Sequence, residues 1–250
     1  GNLFSTWLKS LLNLLVKILR QNGHEAYLVT YDGTYEDWLI EHQPTISLNE
    51  FINKKNQNQN HICVTSFLGS TAFLRKCKDF YYWDMELALS DNIHFNKTFN
   101  YIQKTKTQIA GVNSMICAWH QAHWNRPCLL LPDWVDNDYW FPVEEVRKSN
   151  RIGYMNEGPE TYHKIEEIKK ILFSKGHVFE FNLISGNEKE CLNSLRTCNI
   201  FLGMNPGKDP IWGESFGLPG MEAMAVGCAV ISNDYQGNRE YIHNSFNGLL

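Results

Sequence analysis

Apolar residues along this chain recur with two periods. From Ser5 to Asn22, Leu8, Leu11, Leu12, Leu15, Val16 and Leu19 return every three or four residues, which places them on one face of a helix. Ala26–Thr30 is a short apolar run that predicts a strand. Short helices are expected over Tyr35–Glu41 and Leu48–Lys54, followed by the polar loop Asn56–Asn60. Further strands are expected near His61–Ser66, Asp79–Trp83, Gln108–Val112 and Cys128–Leu131. Helices near Ser70–Lys76, Asn96–Lys104 and Ser114–Trp124 separate them. The second half repeats the pattern. Strands are expected near Arg151–Met155, Val178–Ile184, Ile200–Met204 and Ala229–Ser232, and helices near Pro159–Ser174, Glu188–Arg196 and Gly220–Val226. Alternation of this kind predicts α/β architecture with mainly parallel, doubly wound sheets. The boundary between two domains falls between Leu131 and Asn150, so residues 1–131 and 132–250 are taken as the two.

Both ends read as cut. A doubly wound domain opens with a strand and a glycine turn before its first helix. Here Gly1-Asn2 runs straight into helix, so a first strand is missing. At the other end Phe246–Leu250 begins a strand with no following helix.

Composition narrows the function classes. The 250 residues are 43% hydrophobic, enough for one large core or two modest ones. A net charge of −4 argues against nucleic acid as a partner. No apolar run reaches the length of a bilayer span, and Lys9 and Lys17 interrupt the first apolar stretch. The seven cysteines are dispersed without a C-x-x-C pair, which reads as reduced thiols in a cytoplasmic protein.

The most informative stretch runs from Gly213 to Ala225. Glu214 and Glu222 are separated by seven residues rich in Gly and Pro, a helix begins around the second, and the apolar run Cys228–Ser232 follows. One carboxylate therefore sits on a loop and the other on a first helical turn. A carboxylate can accept hydrogen bonds from neighbouring sugar hydroxyls. A helix start offers free N–H groups to phosphate, and Gly217 and Gly220 would let backbone come close to such a ligand. In isolation the plainer reading is preferred, with Glu222 serving a helix dipole and Glu214 merely solvated.

The surrounding residues decide between these readings. Glu214-Ser-Phe-Gly-Leu-Pro-Gly-Met-Glu222-Ala-Met-Ala, followed by Asn233-Asp-Tyr-Gln-Gly237-Asn-Arg-Glu240, resembles the signature of retaining glycosyltransferases of family 4. Weaker echoes occur in the family's order at Gly23–Thr30, Tyr82–Glu86, Val112–Ser114, Pro132–Asp136 and Tyr139–Pro142. The resemblance implies the GT-B fold, two Rossmann-like domains facing across a cleft. It implies donor binding on the second domain and acceptor binding on the first. It implies that Glu222 holds the donor ribose and that Glu214, at the reacting end, lies against the transferred sugar. Ser215, Phe216, Gly217, Leu218, Gly153, Asn156, Lys164 and Arg239 are the further donor-side candidates. Gly1, Asn2, Asp84 and Glu86 are the acceptor-side ones. The donor is then a nucleotide-diphosphate sugar and the acceptor a carbohydrate or glycoconjugate. No other cofactor and no metal is expected. The family also leaves room for peripheral association with the inner face of a membrane.

One departure stands out. The family places an Arg, then a Lys, after the first strand of the second domain to grip the diphosphate. Here Asn156 or Glu157 stands near the Arg position, so Lys164, Lys208 or Arg239 would have to substitute, with the helix start near Gly237 assisting. That departure keeps a rival open, a catalytically weak or silent protein of the same fold that binds a nucleotide sugar or a partner. A nucleotide-sugar epimerase is a second rival, but no acid/base pair can be placed for it. His120 and His123, flanked by Trp119 and Trp124, lack a third ligand at a usable spacing and suggest packing between domains or acceptor contact instead of a metal.

Overall fold

The computed structural model describes residues 4–57, 62–65, 80–84, 102, 104, 107–156, 158–204, 216–235 and 237–250, with side chains throughout these ranges except at 4–9, 55–57 and 80. Two compact units emerge, one within residues 1–37 and 41–133, the other from 38–40 and 134–250.

The first unit opens with helix α1 (Phe4–Gln21), whose Leu11 and Val16 are buried. Strands β1 (Leu28–Thr30) and β2 (Thr45–Ser47) pair in parallel, and α2 (Leu48–Gln57) follows. A separate sheet holds β3 (Cys63–Thr65), β4 (Phe80–Asp84), β5 (Gln108–Gly111) and β6 (Cys128–Leu130), all parallel and side by side in chain order. Helix α3 (Ser114–Trp124) links β5 to β6. Asn113 caps it, its side-chain oxygen accepting the Ile116 N–H at 2.7 Å. The core between this sheet and helix gathers Tyr82, Ile102, Ile109, Cys117, Trp124 and Cys128.

Residues 35–41 do not form the expected helix. The turn before them is closed by side chains: Gly33 N–H donates to Thr30 Oγ1 at 3.0 Å and Thr34 N–H to Asp32 Oδ1 at 3.2 Å. Beyond it, backbone groups a helix would bond internally are used elsewhere. The Trp38 carbonyl accepts the Glu188 N–H at 3.2 Å, and Ile40 N–H donates to Glu188 Oε2 at 2.8 Å. Strand β2 was not expected, since three residues after Pro44 carry no readable period. The helix expected over 70–76 lies outside the described residues. Of the one over 96–104, only 102 and 104 are described, both helical.

The second unit is a single parallel sheet of β7 (Arg151–Tyr154), β8 (Glu180–Leu183), β9 (Ile200–Gly203) and β10 (Ala229–Ser232), in the order β10-β9-β7-β8. Helices α4 (Pro159–Ser174), α5 (Glu188–Arg196) and α6 (Leu218–Ala225) alternate with the strands. Ile231 also bridges to Leu249, extending the sheet beyond β10. Phe201, Leu195, Ala223, Val226 and Ile242 are at most 1% exposed and pack in one cluster with Trp140 and Ile184. The chain runs from β7 outward to β8 and then returns to β9 on the opposite side. Strand order therefore reverses between β7 and β9.

One arginine closes two helices of this unit. Arg147 Nη1 donates to the Cys198 carbonyl at 2.8 Å and the Gly227 carbonyl at 3.0 Å, and Nη2 to the Val226 carbonyl. These carbonyls follow the ends of α5 and α6, where acceptors lack intrahelical partners and the dipole favours a cation. Among the described residues, Arg147→Ala removes the donor of the buried Val226 carbonyl and leaves the Cys198 carbonyl with the Cys228 thiol alone, at a side chain only 9% exposed. The unfolding free energy should fall by about 2–4 kcal/mol. Urea denaturation would show this as a lower midpoint at unchanged slope, and an unchanged midpoint would mean that water serves the carbonyls equally well.

Candidate functional site

In open parallel sheets, ligands bind beyond the carboxyl ends of the strands where strand order reverses. In the second unit, three segments leave that edge of the sheet. Gly153-Tyr154 of β7 runs into Met155–Gly158 and the start of α4. Gly203 of β9 leads towards α6, and Ser232 of β10 leads into the turn at Asn233.

Glu222 lies on α6. The helix opens after Gly217, whose φ of 77° is left-handed, with Pro219 in its first turn. Glu222 is 3% exposed, and its Oε2 is buried with no hydrogen-bond donor among the described residues. Burial first, and the Glu188 carboxylate second, push its carboxyl well above the ordinary value. Burial, then the Glu222 carboxylate, also raises the Cys191 thiol on α5 to about 11. A buried acceptor short of donors is costly unless something supplies them, and a pair of sugar hydroxyls is one such supply. Asn233 Oδ1, at the end of β10, is a second buried oxygen without a donor among the described residues. Its position in the signature was legible, but its orphaned oxygen was not.

The start of α6 is braced by a chain of hydrogen bonds. Ser232 Oγ donates to the Gly203 carbonyl at 2.8 Å and accepts from Asn238 Nδ2 at 2.8 Å. Tyr241 hydroxyl donates to the Gly217 carbonyl at 2.7 Å and lies 3.2 Å from Asn238 Oδ1. The glycines of the signature serve this packing. A Cβ on Gly217 would stand 2.1 Å from Asn238 Oδ1, and one on Gly220 2.4 Å from the Tyr241 hydroxyl oxygen. These positions are small to admit Asn238 and Tyr241. Gly153 is small for a similar reason, since its Cβ would meet Cys198 Sγ at 3.0 Å. Phe216 and Leu218 are 3% and 7% exposed, and the Phe216 ring packs 5.6 Å from that of Tyr241. Their side chains belong to the protein interior.

The candidate cations are placed unevenly. Arg239 Nε and Nη2 donate to the two oxygens of Asp234 at 2.5 and 2.7 Å, and the Arg239 hydrogen bond holds the Asp234 carboxyl below its ordinary value. The helix start expected near Gly237 is a 3-10 helix of three residues, Asn238–Glu240. A single turn of that kind sums few peptide dipoles. Asn156 is exposed, and its Oδ1 accepts the Gly158 N–H at 3.1 Å in a local turn. Lys164 lies half-buried on α4. Glu214, Ser215, Glu157 and Lys208 lie outside the described residues.

In the first unit, Asp84 ends β4 and is 3% exposed, its Oδ2 accepting from His120 Nε2 at 2.7 Å. His120 is 1% exposed and stacks on Trp124 at 4.7 Å, while His123 stacks on Trp119 at 4.9 Å. The inner side of α3, with His120 and Trp124, is buried within the first unit. Among the described residues no group of three His, Cys, Asp or Glu side chains gathers as a metal site. Gly1, Asn2 and Glu86 lie outside the described residues.

Residues 152–250, from β7 to the end of the chain, match the family model described as glycosyl transferases group 1. No curated protein matches the chain by sequence. Among solved structures, HepE of Anabaena in complex with UDP and glucose superposes with a TM-score of 0.64 at 10% identity, over 96% of this chain and 81% of that one. HepE with UDP alone gives 0.56 at 10% identity, over 81% and 67%. TarM gives 0.54 at 14% identity over 81% of this chain and 48% of that one, and a mutant of S. aureus TarM in complex with fondaparinux, α-GlcNAc-glycerol and UDP gives 0.53 at 14% identity over the same shares. Residues 152–250 are thus similar to the glycosyl transferases group 1, and the chain shares the GT-B fold of HepE and TarM.

Proposed function

We propose that the chain transfers a sugar from a nucleoside diphosphate sugar to an acceptor hydroxyl with retention of anomeric configuration, in the synthesis of a polysaccharide or glycoconjugate. The observation that carries the reading is the buried Oε2 of Glu222, without a donor among the described residues, on the helix that packs against β9 and β10 of the matched domain. A ribose diol supplies the two donors that such a carboxylate needs. HepE, of like fold, is known in complex with UDP and with UDP-glucose, so uridine is the base to try first.

In this reading the second unit holds the donor and the first unit the acceptor. The acceptor oxygen forms a bond to the anomeric carbon as the bond from that carbon to the diphosphate breaks. The electron pair leaves with the diphosphate, and the acceptor's proton passes to it. Rate comes from alignment and from stabilising the charge that grows on the leaving group. Lys164 and Arg239 are the described cations available for that work, and Arg239 must loosen its bond to Asp234 to do it. Glu214 is assigned to the donor sugar, with no covalent intermediate.

Asn156 favours a second reading. Near the place where the family carries Arg, which falls on Asn156 or Glu157, this neutral side chain is folded onto Gly158, which suits a protein that binds the donor and turns it over slowly or not at all. Thermal unfolding with uridine, guanosine and adenosine diphosphates and their sugar esters tests both. A cognate nucleotide at 100 times its Kd should add about 2.7 kcal/mol of stability. Release of nucleoside diphosphate from the stabilising donor, with an acceptor present, supports transfer. Stabilisation without turnover supports the silent binder, and stabilisation by none of the panel overturns both.

A further inference from the structure

Glu188 opens α5, where a carboxylate favours the helix dipole. The structure also ties it down twice. Its N–H donates to the Trp38 carbonyl at 3.2 Å and its Oε2 accepts the Ile40 N–H at 2.8 Å. Of residues 1–133, only 38–40 belong to the second unit. Ile40 packs against the cluster that contains Cys191 and Ala223, the neighbour of Glu222. Helix α5 packs on α6, and Cys191, one turn beyond Glu188, lies within the fields of Glu222, Glu190 and Glu188. Among the described residues, the strands packed against α6 bring no competing charge. Strands β9 and β10 contain no titratable residue, Tyr241 is bonded at Gly217, and Arg147 sits at the far end on Val226 and Gly227.

We propose that burial on α6 keeps Glu222 protonated in the free protein, that Glu188, clamped by Trp38–Ile40 on the packed helix α5, is a positioning residue that adds to this, and that donor binding releases the proton to solvent. The inference rests on Glu222 as the ribose ligand. A neutral carboxyl spends one oxygen as a donor, whereas the anion accepts from both hydroxyls of a vicinal diol. Without ligand, burial and a fixed neighbouring carboxylate favour the neutral form. With ligand, two hydroxyl donors favour the anion. The O–H bond of the carboxyl breaks, the proton passes to buffer, and no redox step is involved.

The test is calorimetry of UDP binding to the whole chain, in buffers of differing ionisation enthalpy, from acid to mildly alkaline pH. GDP and ADP are run in parallel. The terminal phosphate titrates too, so Glu222→Gln sets the baseline. The wild type should release about one more proton than Glu222→Gln at the acid end. Its Kd should fall about tenfold further per pH unit until Glu222 ionises unaided. Glu188→Gln should move that window to lower pH, because one like charge is gone, while keeping the wild-type melting temperature within a few degrees. Equal proton counts in wild type and Glu222→Gln, with Glu222→Gln still weakening UDP, would overturn the proton release and spare the ribose assignment. An unmoved window in Glu188→Gln would overturn the role of Glu188. Undiminished UDP affinity in Glu222→Gln, or no binding of any of the three nucleotides by the wild type, would overturn the ribose assignment and this inference together.

Discussion

Glu214→Ala is expected to leave nucleoside diphosphate binding nearly intact while lowering sugar transfer about 100-fold or more. The argument is positional. Glu214 and Glu222 are eight positions apart in sequence, and Glu222 is fixed on the first turns of α6 at the carboxyl edge of the sheet. The two carboxylates are assigned to opposite ends of one extended ligand, with Glu222 on the ribose and Glu214 on the sugar. Free nucleoside diphosphate has no sugar to lose, so its affinity should not move. A sugar misplaced by about 1 Å against the acceptor can cost two orders of magnitude in rate. If Glu214 only braces its loop, nucleotide affinity, melting temperature and activity should fall together. Three measurements on one variant separate these outcomes, and a fully active Glu214→Ala removes the residue from the donor site.

What could be read from the chain follows how local the cause was. Helices over 114–124, 159–174 and 188–196 lie where the apolar spacing places them, because periodicity and caps such as Asn113 and Asn187 act within a few residues. The strand at Ala229–Ser232 is as local. The parallel α/β architecture follows from the alternation of such elements. Strand order β10-β9-β7-β8 does not, since it depends on which edge each crossover reaches. Arg147 closes helix ends 51 to 80 positions away, and no spacing rule reaches that far. The segment 38–40 is similar, since its backbone partner is Glu188 in the other half of the chain. The glycines of the signature were legible as small positions. Only the packed structure shows that Asn238 and Tyr241 fill the space they leave.

Glu222→Gln should gain stability and lose affinity, a pair of opposite signs that a purely structural residue would not give. In the unfolded chain the carboxyl titrates near its ordinary 4.5, while in the folded unit burial and Glu188 raise it well above that. Below 4.5 the group is protonated in both states and affects neither. As pH rises from there towards the raised folded value, the unfolded chain gives up its proton first and is favoured. The folded state therefore loses stability through that window, and the loss is constant above it. Each pH unit of elevation costs about 1.4 kcal/mol, and each kcal/mol is roughly 2–4 °C of melting temperature in a chain this size. Gln keeps the shape and carries no charge, so the variant should melt higher than wild type at neutral pH, with the advantage vanishing in acid. Its cost appears on binding. A charged hydrogen bond contributes about 1.5–3 kcal/mol, so nucleotide affinity should fall by roughly one to two orders of magnitude. Melting curves across pH and calorimetry with UDP measure the two halves separately. A variant that melts lower and binds unchanged would return Glu222 to the role of an ordinary helix residue.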